Sequence, residues 1–195
     1  MKNARTMIQK EQIEKAVAVL KAGGVILYPT DTIWGIGCDA TNEAAVEKIF
    51  KIKQRSDSKS LIILAGDMNM VGRYVREIPE MAVTVESLSD KPLTIIYPEG
   101  INLASNVTAE DGSIAIRIPK NEFCLELLRA FRKPIVSTSA NVSGTPAAKR
   151  YADITDDIKT AVDFAVDPSC EQNATGKASS IIKLGLHNEV QVIRE

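Results

Sequence analysis

Short apolar runs, each separated from the next by a stretch of helical periodicity, limit what this chain can fold into. VILY (25–28), SLIILA (60–65), LTIIY (93–97), SIAIRI (113–118) and IVST (135–138) each suit one buried strand. Ile13, Ala16, Val17 and Leu20 recur at helical spacing, which predicts a helix over 11–22 that Gly23 and Gly24 stop. Thr41 or Asn42 caps a second helix that buries Val46, Ile49 and Phe50. Asp67 caps a third that reaches Val75, and Pro79 opens a fourth that ends near Leu88. After Asn121 one helical face carries Cys124, Leu127, Leu128 and Phe131, and Pro134 closes the segment. A further helix is expected over 156–162, followed by the strand-rich FAV, SSIIKL and VQVIRE. Interleaved helices and strands give an α/β (α+β) fold, a sheet covered by helices. The continuous apolar runs suit strands buried on both faces.

A chain of 195 residues, 45% hydrophobic and 25% charged, supports one well-buried core, so a single domain over 1–195 is expected. A net charge of -1 argues against a wholly basic nucleic-acid binder and leaves room for a local basic patch. Cys38, Cys124 and Cys170 lie far apart and His187 is the sole histidine, which supports neither structural zinc nor a disulfide framework. Cys38 is expected to be a buried small hydrophobe. The first residues lack a secretory apolar core, and no apolar run reaches membrane-spanning length. The protein therefore reads as cytoplasmic with no membrane partner, and the sequons at Asn106, Asn141 and Asn173 read as coincidental.

Polar clusters follow two of the strands: Thr30, Asp31 and Thr32 after Pro29, and Ser137 to Asn141. Strand ends are where open α/β sheets place ligands. GIGCDA (35–40) has the glycine spacing of a dinucleotide fingerprint, but PTDTIW separates it from the strand, so the glycines are read as a turn or close strand packing. TGKASS (175–180) lacks the first glycine of a phosphate-binding loop, because Glu171 stands there, and Ala178 follows the lysine. In KIFKIKQRSDSK, Lys48, Lys51, Lys53, Arg55 and Lys59 form a basic run with Ser56 and Ser58. Such a run either caps a helix C-terminus in solvent or binds a polyphosphate. STSANVSG (137–144) turns on its own hydrogen bonds or binds phosphate or carboxylate oxygens. No histidine lies near it, so a Ser-His-Asp hydrolase has no support. Hydroxyls, amides, Arg and Lys without a nucleophile suit phosphoryl or nucleotidyl transfer with Mg²⁺.

In this order, YPTDTIWGIGCDA, KIKQR, SIAIRIP, STSANVSG, SSII and VIRE resemble the threonylcarbamoyl-AMP synthase family, the YrdC/TsaC fold in its short form, over nearly the whole chain. The resemblance implies a twisted open sheet flanked by helices, with a deep, positively lined cavity. It implies ATP as substrate, with Mg²⁺, and synthesis of threonylcarbamoyl-AMP and pyrophosphate from L-threonine, bicarbonate or CO₂, and ATP, the first step of the tRNA t6A37 modification. Thr32, Arg117, Ser137 and Ser179 would hold threonine. Lys53, Arg55, Lys59, Ser113, Ser139, Asn141 and Arg194 would surround the nucleotide, with Lys53 and Arg55 catalytic. Further partners would be tRNA or double-stranded RNA and the downstream t6A transfer machinery. The chain departs from the family pattern at Ser56 and at Ser89, Asp90 and Lys91. Two alternatives stay open: a non-catalytic RNA-binding or ribosome-maturation factor, and a YciO-like relative with another acceptor. The K-x-R pair speaks against the latter.

Overall fold

The computed structural model describes residues 2–54, 61–172 and 174–195. Helix α1 (Lys2–Lys21) begins nearly half of its length earlier than the apolar stripe predicts. Its buried residues Ile13, Ala16, Val17 and Leu20 form that stripe. The preceding turns are mostly polar, with Met7 and Ile8 exposed, and carry no periodic apolar signal, and Gln9 there donates to Glu126 at 2.9 Å.

Strand β1 (Ile26–Tyr28) follows, fully buried, then β2 (Gly35–Gly37) and α2 (Glu43–Ile52). β2 was not expected as a strand: it holds one apolar side chain between two glycines, and pairing with its neighbours creates it. Its glycines do serve close strand packing, because a Cβ at Gly37 would stand 2.4 Å from the Val136 carbonyl oxygen. The chain continues with β3 (Ile62–Leu64), α3 (Met68–Tyr74), α4 (Glu80–Leu88), β4 (Leu93–Tyr97) and β5 (Ile114–Arg117). Then come α5 (Glu122–Phe131), β6 (Ile135–Ser139), α6 (Asp156–Ala161), β7 (Phe164–Ala165), β8 (Ser180–Leu184) and β9 (Val190–Arg194). The predicted caps form: Asn42, Asp67 and Asn121 accept from the backbone N–H groups of Ala45, Met70 and Cys124.

The strands join in one mixed sheet, ordered β7-β1-β2-β6-β3-β5-β4-β8-β9 among the described residues. β1 and β7, β3 and β5, and β4 and β8 run parallel. The remaining pairs are antiparallel. α1 packs on α5 and on β1 and β7. The expectation of strands buried on both faces holds for β1 and β5 and fails for β9, whose five residues are all exposed. β9 is an edge strand with one neighbour, so its apolar residues meet solvent. Phe50, expected in the core, is half-buried against it.

Candidate functional site

The polar cluster after β1 satisfies itself and then faces inward. The Thr30 hydroxyl donates to the Ile33 carbonyl at 2.7 Å and lies 2.8 Å from the Thr32 hydroxyl. The Asp31 carboxylate is buried; it accepts from the Arg117 guanidinium and, at 3.0 Å, from the Lys120 N–H. The loop is strapped from outside: Thr175 N–H donates to the Asp31 carbonyl at 3.0 Å and Gly176 N–H to that of Thr32 at 2.9 Å. Trp34 Nε1 donates to Glu171 at 2.8 Å, and its ring meets Tyr151 edge-on with centroids 5.0 Å apart.

Alternation along strands sorts the remaining side chains. Ser137 and Ser139 share one face of β6, and Ala115 and Arg117 one face of β5. Thr94 of β4 lies opposite Arg117 of β5 and Ile181 of β8, and its hydroxyl shares a hydrogen bond of 2.7 Å with that of Ser179. Arg194, at the end of β9, forks onto the Ser179 carbonyl through Nε at 3.0 Å and Nη2 at 2.7 Å.

These groups surround a cavity of about 230 Å³. Of the predicted residues, Thr32, Arg117, Ser137, Ser139, Ser179 and Arg194 line it. Thr30, Trp34 and Gly35 line it too. Among the described lining residues the charged groups are two arginines, and no carboxylate faces in. Such a lining suits an anionic or zwitterionic ligand rich in acceptors. The volume falls below the ~300–1,000 Å³ of sites that bury drug-sized ligands, so it matches a molecule of amino-acid size.

Three predicted residues sit elsewhere. Lys53 is 4% exposed, which overturns the reading of the whole basic run as a solvated helix cap. Its ammonium donates to the carbonyls of Ser139 at 2.7 Å and Asn141 at 2.8 Å, and so clamps the turn after β6 from behind. Asn141 spends its amide N–H groups on the carbonyls of Val142 and Thr145, and neither it nor Lys53 lines the cavity. Ser113 shares the β5 face of Arg117 but lies four residues away, about 13 Å along a strand. Its hydroxyl donates to Asp111 at 2.6 Å, which with the Ser113 N–H and Lys183 holds that carboxyl down at about 2. Arg55, Lys59, Ser56 and Ser58 lie outside the described residues.

Sequence reasoning left Asp31 and Trp34 undecided and did not reach Thr94 or Glu171. Thr94 had a signal, as the polar residue of an otherwise apolar strand. Glu171 had none, because its partner is 137 positions away.

The family model Sua5_yciO_yrdC, described as telomere recombination, matches residues 18–195. A threonylcarbamoyl-AMP synthase of Stenotrophomonas maltophilia is 39% identical over 159 residues, 80% of this chain and 85% of that protein. The structure of P. abyssi Sua5 complexed with L-threonine superposes with a TM-score of 0.81 at 28% identity, over 88% of this chain. This chain covers 50% of that Sua5. E. coli YciO superposes with a TM-score of 0.80 at 25% identity, over 96% of this chain and 89% of its own. The open mixed sheet flanked by helices is the one the resemblance implied, and the chain belongs to the Sua5/YciO/YrdC family.

Proposed function

We propose that this chain is an L-threonylcarbamoyladenylate synthase, a nucleotidyltransferase that converts L-threonine, bicarbonate or CO₂, and ATP into threonylcarbamoyl-AMP and pyrophosphate. One observation carries the reading: six residues that the motifs single out, from Thr32 to Arg194, converge on one arginine-lined cavity. The likeness to a Sua5 holding L-threonine and to curated synthases supports it.

In this reading the Arg117 guanidinium takes the threonine carboxylate, and Thr32, Ser137 and Ser179 hold the rest of the amino acid. The neutral amine forms a C–N bond to CO₂ as one C=O π bond opens, and the nitrogen loses a proton to solvent to give a carbamate anion. A carbamate oxygen then attacks the α-phosphorus of ATP, and pyrophosphate leaves. Both reactants are anions, so the site must offset their repulsion, and a hydrogen bond to a charged group contributes roughly 1.5–3 kcal/mol. Arg194 and Ser139 face the phosphates from the cavity wall, and Ser113, Arg55 and Lys59 are assigned to the nucleotide by their motifs alone. Lys53 and Asn141 serve by fixing the turn that presents Ser139. Mg²⁺ arrives with the ATP phosphates: among the described residues no group of three His, Cys, Asp or Glu side chains is placed to hold a metal. The adenylate passes to the machinery that modifies tRNA. The cytoplasm is the compartment proposed for the reaction. No helix among the described residues is long and apolar enough to cross a membrane.

The test is pyrophosphate release from Mg-ATP with and without threonine and bicarbonate, with mass-spectrometric detection of the adenylate. Release that requires threonine is expected, and release indifferent to threonine sinks the proposal. Substitution of other amines for threonine distinguishes a YciO-like relative with a different acceptor.

A further inference from the structure

The hydroxyl pair beside the cavity has a fixed direction. Each threonine hydroxyl has one proton and two lone pairs. Thr30 Oγ1 lies 2.7 Å from the Ile33 carbonyl oxygen, which has no proton to give, so Thr30 must donate there. It therefore cannot donate to Thr32 Oγ1, 2.8 Å away, and the proton in that contact belongs to Thr32. The Thr32 N–H, at 3.1 Å, is the second donor to Thr30 Oγ1. Thr30 is saturated: one proton out, two in. Reversal would press the Thr30 hydroxyl oxygen, on a residue only 2% exposed, against the Ile33 carbonyl oxygen at 2.7 Å with no proton between them, an arrangement buried polar groups avoid.

Thr32 thus reaches the cavity with its proton spent and only lone pairs to offer. We propose that Thr30 is a positioning residue that commits the Thr32 hydroxyl to accept, and that the substrate group it receives is the amino N–H of threonine. This deepens the synthase reading and rests on it. The neighbouring residue supplies the geometry: Asp31 holds the Arg117 guanidinium, the donor set for a carboxylate. Donor and acceptor are therefore organised by consecutive residues, as an α-amino acid requires, since one carbon separates its carboxylate from its nitrogen. An accepted N–H fixes rotation about the Cα–N bond and aims the nitrogen lone pair for attack on CO₂. Thr32 itself takes no proton.

The test compares Thr30→Val, Thr30→Ser, Thr32→Val and the double variant Thr30→Val/Thr32→Val in the full chain. Steady-state KM values for threonine and ATP are measured, with thermal melts to confirm folding. Thr30→Val preserves shape and frees the Thr32 hydroxyl to rotate. It is expected to raise the threonine KM about tenfold, the worth of roughly one oriented hydrogen bond, while leaving the ATP KM within about twofold. Thr30→Ser restores the threonine KM, because it keeps the saturated oxygen. The double variant loses no more than Thr32→Val alone, because Thr30 acts only through Thr32. An unchanged threonine KM in Thr30→Val, additive losses in the double variant, or equal losses in Thr30→Val and Thr30→Ser overturn the proposal. Should Thr30→Val not fold, the Thr30→Ser and Thr32→Val pair decides: loss in the former without loss in the latter overturns it. Failure of the synthase reading is separate, since wild-type protein would then make no adenylate from threonine.

Discussion

The Asp31–Arg117 pair makes a prediction that separates a structural ion pair from one tuned to a ligand. Both side chains are 5–6% exposed, and Asp31 also accepts the Lys120 N–H. Asp31→Asn keeps the shape and one acceptor and removes the charge. Deleting one member of a buried pair costs about 3–5 kcal/mol, because the survivor stays buried and uncompensated. The retained bond to Lys120 N–H returns about 1 kcal/mol, leaving a loss of roughly 2–4 kcal/mol. At ~2–4 °C per kcal/mol for a domain of this size, the melting temperature should fall by about 5–15 °C. Threonine supplies a carboxylate to the same guanidinium. Saturating threonine should therefore raise the melting temperature of the variant more than that of wild type, by a further several degrees. Circular dichroism melts with and without threonine measure both effects. A variant that melts within 2 °C of wild type (about half a kcal/mol) shows that the pair's attraction is cancelled by its desolvation. A large fall with no greater threonine response shows that the guanidinium is structural and does not meet the ligand.

Two other predictions follow from the same packing. Gly37→Ala places a Cβ 2.4 Å from the Val136 carbonyl oxygen and 2.7 Å from Tyr28 Cε1, both fixed inside the sheet. Overpacking of that kind costs about 1–3 kcal/mol, so the variant should melt at least several degrees lower, and an unchanged melt would show that β2 can shift. Burial pushes the Cys38 and Cys124 thiols far above their ordinary range, with the Asp39 and Asp31 charges adding to it respectively. Neither should be alkylated at pH 7–8 in the folded protein, and peptide mapping that finds either modified without unfolding refutes their burial.

The legible parts of this fold were those governed by neighbours in sequence. Asn42, Asp67 and Asn121 cap helices through the N–H three residues on, so each cap could be read without knowing the fold. Strands with branched apolar runs were equally plain. β2 was not, because Gly-Ile-Gly has little strand preference and exists as a strand only between β1 and β6. The site divides in the same way. Ser137, Ser139 and Arg117 could be placed on faces by alternation. Lys53 could not, because its burial depends on the carbonyls of Ser139 and Asn141, 86 and 88 positions away. Asp31 found its role through a partner 86 positions away.

The way each cation is held also distributes charge across the site. Arg117 is backed by the Asp31 carboxylate, so that pair is neutral while its remaining N–H groups still point to a ligand. Arg194 is backed by the Ser179 carbonyl, which fixes direction without removing charge. The neutral pair stands where the proposed ligand, threonine, is a zwitterion of zero net charge. The Arg194 cation stands where a polyphosphate is proposed, at the end of β9. In a partly buried site a unit charge at 4 Å is worth about 4 kcal/mol at an effective dielectric near 20, so this placement matters. A fully cationic threonine subsite would repel the ammonium form of its own substrate. A carbonyl-backed Arg117 would also carry a buried charge with no counterion whenever the site stands empty. Asp31 removes both penalties, which is why the carboxylate follows β1 directly and does not face the cavity.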